Sequence, residues 1–152
     1  MIEVVITILV IALVAAYAIP KLLGPRDSAN DGTAKTSLRA ALTAAETEFA
    51  QTQSYAGLDG DRIMDLEPSI KASSADSVDE TAEIGPTADA KTVVTLLSQS
   101  PTQIKLCAAS KSTKVFCLKL RPNEATQYYT LTGMTTWDDV DGSTEAAGQD
   151  SW

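Results

Sequence analysis

The first nineteen residues, Met1 to Ile19 (MIEVVITILVIALVAAYAI), carry one charged side chain, Glu3, and the weakly polar Thr7. A helix of a soluble protein is rarely apolar on every face, because one side must meet water. At about 1.5 Å per residue, ~19 residues span roughly 28 Å, close to the thickness of a bilayer core. The run therefore predicts a membrane-length helix rather than a core helix. A secretory signal peptide would place basic residues before the run and a small-residue cleavage site after it. Met1-Ile2-Glu3 and Ala18-Ile19-Pro20 supply neither.

Glu3 is the exception within this run. A carboxylate in an apolar setting costs several kcal/mol unless it is paired, reaches the interface or faces a protein cavity. Its position near the helix start leaves two readings. It either reaches the headgroup region or finds a cationic partner on another chain. For the second, the nearest candidate is the α-amino group of an identical neighbour, and such a pairing would set axial register between subunits.

Helix breakers follow. Pro20 lacks an amide donor, and Gly24-Pro25 repeats the effect with a looser backbone, so a kink or local unwinding is expected within 19–26. A second helical pattern is expected to begin near Asn30 or Asp31, either of which can cap it. Leu38, Ala41, Leu42, Ala45 and Phe49 then form one apolar stripe, with Lys35, Arg39, Glu46 and Gln53 away from it. Joined, the two helices would measure roughly 80 Å, more than the globular part of this chain can cover. Half of the unit must meet something else.

The rest of the composition excludes more than it identifies. With 12 basic and 20 acidic residues the formal charge is -8, which disfavours specific or strong non-specific nucleic-acid binding. Without histidine, a Ser-His-Asp triad, a Cys-His dyad, a His-ligated zinc and haem attachment are impossible. No enzyme activity and no cofactor is expected. The 31 Ser and Thr residues permit O-glycosylation, and there is no Asn-x-Ser/Thr sequon.

Beyond Tyr55 the chain reads as a connecting region over 55–91, with a short helix at Asp59 to Leu66 stopped before Pro68. The stretch Ala72 to Ala90, rich in Ser, Ala and acids, reads as a solvated loop. Strands are predicted at Thr92 to Leu97, Gln103 to Ala109, Lys114 to Leu120 and Gln127 to Leu131. If Cys107 faces Cys117 in an antiparallel hairpin centred on Ser112, then Ile104 faces Leu120, Leu106 faces Leu118 and Ala108 faces Phe116. All six are apolar and share one face. The cysteines lie on the other face, between the pairs Lys105-Lys119 and Ala109-Val115. A Cys107–Cys117 disulfide is predicted, closing a loop of about eleven residues and stabilising the fold by roughly 2–3 kcal/mol. The like-charged Lys105-Lys119 pair reads as part of a solvated face, with an acidic surface of a neighbouring subunit as the alternative partner. In the C-terminal segment, Asp139, Asp141 and Glu145 are a weak calcium candidate, because the EF-hand order is not met. An acidic solvated tail is the simpler expectation.

The order of elements resembles the type IV pilin family. The residues that carry the resemblance are Met1-Ile2-Glu3, the apolar run, the terminating Ala18-Ile19-Pro20, and the amphipathic helix ending near Tyr55. The Glu3-to-Pro20 spacing matches the family's glutamate-to-proline spacing. Lys21-Leu22-Leu23-Gly24 through Leu38-Arg39-Ala40-Ala41-Leu42-Thr43-Ala44 looks like pilins of Gram-positive and related lineages. The specific likeness covers about the first 55 residues. Family members usually begin two residues earlier, with a methylated Phe after a leader removed by a dedicated peptidase, so the sequence is expected to represent the mature form. Ala12 stands where the family often has Gly. Because alanine favours helix by about 1 kcal/mol, Pro20, Gly24 and Pro25 are the expected sites of loosening.

The resemblance implies an α+β fold, a long N-terminal helix kinked near Pro20 and Pro25 and packed on a small antiparallel sheet. Residues 1–25 would form a transmembrane and polymerisation helix and 26–152 a globular head. The head divides into an amphipathic helix (26–54), the connecting loop (55–91), the sheet (92–131) and a C-terminal loop (132–152). The implied function is a structural subunit of a surface pilus. It would be held in the cytoplasmic membrane before assembly, handled by the leader peptidase and pilus assembly machinery, and then homopolymerised outside the cell. Two alternatives are a pseudopilin of a type II secretion system and a single-pass membrane-anchored binding module.

Overall fold

The computed structural model describes residues 2–74, 93–112, 114–134 and 140. The chain folds as α+β. Helix α1 spans Ile2–Thr52 and α2 spans Gly60–Leu66. The strands are β1 (Lys71–Ser74), β2 (Val93–Ser100), β3 (Gln103–Ala109), β4 (Lys114–Leu120) and β5 (Gln127–Thr132). They form one sheet in the order β1-β2-β3-β4-β5.

α1 is a single element of 51 residues, about 76 Å long at 1.5 Å per residue. The expected unwinding within 19–26 does not occur, and no second helix starts at Asn30 or Asp31. Each proline removes one amide donor, but its fixed φ is itself helical and the hydrogen-bond ladder resumes on both sides. The helix ends where Gln53 enters the left-handed region (φ 55°) and its N–H bonds the Phe49 carbonyl at 2.8 Å, a common helix stop. α2 begins as expected, with the Asp59 carboxylate capping it by accepting from the Arg62 N–H at 2.7 Å.

The sheet is mixed rather than wholly antiparallel. β2 through β5 form an antiparallel meander, but β1 pairs with β2 in parallel. β1 lies inside the region expected to be loop. Its sequence, Lys-Ala-Ser-Ser, has no β-branched or aromatic residue, so its extended state comes from pairing with Val93 to Leu96 and not from propensity. The β3–β4 register is the one the apolar alternation predicts, from Ile104↔Leu120 to Ala109↔Val115, with Cys107 opposite Cys117. The two cysteines form the disulfide, with their Cα atoms 4.1 Å apart.

The inner face of the sheet receives α1. Ala34, Leu38, Ala41 and Ala45 recur at helical spacing and are wholly buried, and they join Val94, Leu96, Ile104, Leu106, Ala108, Phe116 and Leu118 in the main core. Leu42 and Phe49 from the predicted stripe are partly buried at its border. The alanines remove side-chain bulk at the contact and let helix and sheet approach closely. Lys35, expected on the outer face, instead holds its ammonium 4.9 Å from the centre of the Phe116 ring.

Polar ties fix the helix at three heights. Asp31, on α1, accepts hydrogen bonds from the hydroxyls of Ser110 and Ser112 at the β3–β4 turn and from the Lys114 ammonium at 2.9 Å. Lower down, buried Glu48 accepts from the Arg62 Nε on α2 at 2.8 Å. Beyond the helix end, Gln99 donates to the Tyr55 carbonyl at 2.6 Å, and the Tyr55 N–H donates to the Pro101 carbonyl at 3.2 Å.

Burial raises the Asp31 pKa, but the bonds from Ser110, Ser112 and Lys114 and the charge of Lys114 outweigh it, leaving the carboxyl below its ordinary 3.8. A carboxyl lowered by folding contributes stability that is complete above the unfolded value and is lost as pH falls through the folded one. Asp31→Ala should therefore lower stability by about 2 kcal/mol at pH 7. The difference from wild type in urea unfolding should shrink as pH falls below the ordinary value of 3.8. A difference that stays constant down to the lowest pH at which the fold survives would show that the carboxylate's charge is not what holds the hairpin.

Candidate assembly surface

α1 has two unlike halves. From Ala34 onward one face is covered by the sheet. The N-terminal part has no such cover: large apolar side chains from Ile2 to Val14 are exposed, from 52% at Val10 to 78% at Ile2. These residues lie on all sides of the helix, so a single neighbour could not bury them all. An apolar surface of this extent marks an interaction site for protein or lipid.

The hydroxyl of Thr7 donates to the Glu3 carbonyl at 2.7 Å. This internal bond satisfies its donor and lets a polar residue sit in the apolar surface at low cost. The Glu3 side chain is exposed and makes no ion pair among the described residues. It lies in the first turn, where the partial positive charge of the amide ends favours an anion. Among the described residues no helix is long and apolar enough to cross a membrane. The side chains described in this segment end at Ala16, whereas the apolar run of the sequence continues to Ile19.

The remaining predicted site residues fall in different places. Pro20, Gly24 and Pro25 are all within the backbone of α1 rather than at its ends, and Pro25 is exposed. Cys107 and Cys117 lie on the outer sheet face, fully buried. The calcium candidates Asp139, Asp141 and Glu145 lie outside the described residues, and among the described residues no acidic, Cys or His cluster could hold a metal ion.

The outer face is not the solvated surface expected from the lysine pair. Cys107, Val115, Cys117, Tyr129, Leu131 and Val140 form a second buried cluster there. Lys119 is only 8% exposed. Burial pushes its ammonium pKa down, with Arg121 and Lys105 adding to the effect. Lys105 donates to the Val140 carbonyl at 3.1 Å. Val140, in the segment expected to be a solvated tail, is therefore part of the fold, because its apolar side chain gains more from the sheet face than from water.

Sequence reasoning offered Asp31 only as a helix cap and not as a tie to the β3–β4 turn, and it passed over Glu48 and the packing of Val140. A valine within the acidic Trp137-Asp138-Asp139-Val140-Asp141 stretch was the available sign for the last. No family model matches the chain, and neither curated proteins nor solved structures give a match.

If the N-terminal surface is unused within the subunit, Leu9→Ser should change the stability of the head by less than about 0.5 kcal/mol. The measurement is urea unfolding in detergent, followed by near-ultraviolet circular dichroism. A larger loss would mean that the head folds back onto this segment.

Proposed function

We propose that this chain is a structural subunit of a type IV pilus-like filament on the cell surface, assembled through the N-terminal part of α1. The observation that carries the proposal is an apolar surface exposed on every side of a helix that continues without interruption into a packed head. Before assembly, the apolar run lies in the cytoplasmic membrane. During assembly the same surface moves from lipid to the company of other copies, so its removal from the bilayer is offset by burial in the filament. The leader peptidase and the pilus assembly machinery act on the subunit in this scheme.

Glu3 then sets the axial register. In a filament core its carboxylate has no water to solvate it, so a position without a cation is unfavourable by several kcal/mol. The terminal amine of a neighbouring copy supplies the cation. Register thus comes from one charged pair, and cohesion from the apolar surface around it. The heads form the outer layer. Glu3 is the only charged residue before Lys21, so the 12 basic and the other 19 acidic residues lie from Lys21 onward. The filament would have an acidic coat and a nearly uncharged centre.

Two related readings share this chemistry. A type II secretion pseudopilin would assemble in the same way into a short fibre. A single-pass membrane-anchored binding module would keep its helix in the bilayer and use the sheet to bind a ligand.

Electron microscopy of surface filaments in the source cell, comparing wild type with Glu3→Ala and Glu3→Gln, tests the proposal. Filament number should fall by about tenfold or more in both variants, which needs a loss of only about 1.4 kcal/mol per contact. Subunit in the membrane fraction should stay constant. Wild-type filaments in both variants would overturn the register role. Wild-type cells that hold the subunit in the membrane and never form filaments would favour the anchored module.

A further inference from the structure

We infer that Thr7 and Glu3 together form a receiving site for a primary ammonium group, in which the Thr7 hydroxyl oxygen takes the hydrogen of a neighbouring copy's amine that Glu3 leaves unmet. The site rests on the filament and on the Glu3 pairing proposed above. Glu3 alone does not satisfy such a cation. An ammonium has three N–H donors, and a carboxylate lying against it meets two of them. In water the remaining donor finds a solvent molecule. Between apolar helices it finds none, and leaving a donor of a charged group unmet there is costly. A further acceptor has to come from the chain.

Thr7 is placed and prepared to be that acceptor. It follows Glu3 by four residues in α1, and residues so spaced are neighbours on one helix face, with Cβ atoms about 5–6 Å apart. Both side chains are exposed, and Glu3 makes no ion pair among the described residues. The Thr7 hydroxyl commits its hydrogen to the Glu3 carbonyl at 2.7 Å. Only lone pairs remain on the oxygen, so it can accept but not donate. The same bond fixes the side-chain rotamer and holds the oxygen on the Glu3 side of the helix surface.

The rest of α1 supplies a comparison. Thr33, Thr36, Thr43 and Thr47 also bond back to the carbonyl four residues earlier, but there that residue is not acidic. Thr52 does follow a glutamate by four residues, and its hydroxyl bonds the Glu48 carbonyl. At that position the glutamate holds a cation, with the Arg62 Nε at 2.8 Å. Around Thr7 the helix surface is apolar, with Val4, Val10 and Ile11 exposed beside it. If packing alone mattered here, valine would serve better than threonine, because it has the same branched shape and no oxygen to bury. A packing role and an acceptor role thus give opposite signs for one substitution.

The test is filament number on the source cell by electron microscopy, with membrane-held subunit measured in the same cells. Thr7→Val, Thr7→Ser and Glu3→Ala are compared with wild type. Thr7→Val should lower filament number about tenfold, as expected for one lost hydrogen bond to a charged group, and leave the membrane-held subunit unchanged. Thr7→Ser, which keeps the oxygen, should stay within about threefold of wild type. Thr7→Val filaments at or above the wild-type number would overturn the role of Thr7. If Glu3→Ala is depleted in that same experiment, the Glu3 pairing stands without it. Thr7→Ser as depleted as Thr7→Val would also overturn the site, because shape and not the hydroxyl would then be responsible. Wild-type filament number in Glu3→Ala would overturn the Glu3 pairing and this site with it. Wild-type cells that hold the subunit in the membrane and form no filaments would overturn both along with the filament itself.

Discussion

The structure depends on the seating of a small-residue face of α1 on the inner face of the sheet. Ala34, Ala41 and Ala45 bring the helix backbone close, and Leu38 is the one large side chain among the wholly buried positions of this stretch. Close approach makes the surrounding polar ties possible, because short side chains can reach only across a short gap. Asp31 meets two serine hydroxyls and a lysine at the hairpin turn, and Glu48 meets Arg62. The dispersion and burial terms provide cohesion, while the charged bonds select one position of the helix along the sheet.

That seating also divides the helix by function. Where it lies on the sheet, apolar residues are confined to one face and are satisfied within the chain. From Ile2 to Val14 the same helix carries exposed apolar side chains on all sides. A soluble monomer would not keep such a surface in water. The proposed filament rests on this contrast: the head packs on its own sheet, and in the proposal the N-terminal part is covered by lipid or by other helices.

The legible parts of the fold were those where one periodicity governed many residues. The β3–β4 register followed from alternation, because a slip of one position would have turned both the apolar residues and the cysteines to the wrong faces. The stripe around Leu38 and the short helix at Asp59 to Leu66, found as Gly60–Leu66, were equally local. β1 was not legible, since Lys71 to Ser74 become a strand only by pairing with a partner about twenty positions away. Continuity through Pro20 and Pro25 was also missed, because local preference disfavours proline in a helix and the rest of the ladder overrides it. The Asp31 tie joins residues some eighty positions apart, and an Asp that suits a helix start gives no sign of a distant serine. At the candidate site, the apolar run and Glu3 could be read directly. The covered outer face could not, because the acids around Val140 suggest water and only its packing shows otherwise.

The unbroken helix has a mechanical consequence. Axial load on a helix is carried by three parallel rows of backbone hydrogen bonds. Pro20 cannot donate to the Ala16 carbonyl, nor Pro25 to the Lys21 carbonyl, so the rows are thinned over the turns between the exposed part and the head. The head's own portion is braced by the sheet, and no proline interrupts the helix between Ile2 and Ile19. Tension applied between the two ends concentrates strain in that thinned stretch. There the rod can lengthen by giving up a few turns of helix, at 1.5 Å per residue, for extended chain at about 3.3 Å. The seating of the helix on the sheet, and in the proposed filament the apolar contacts at the other end, are left undisturbed.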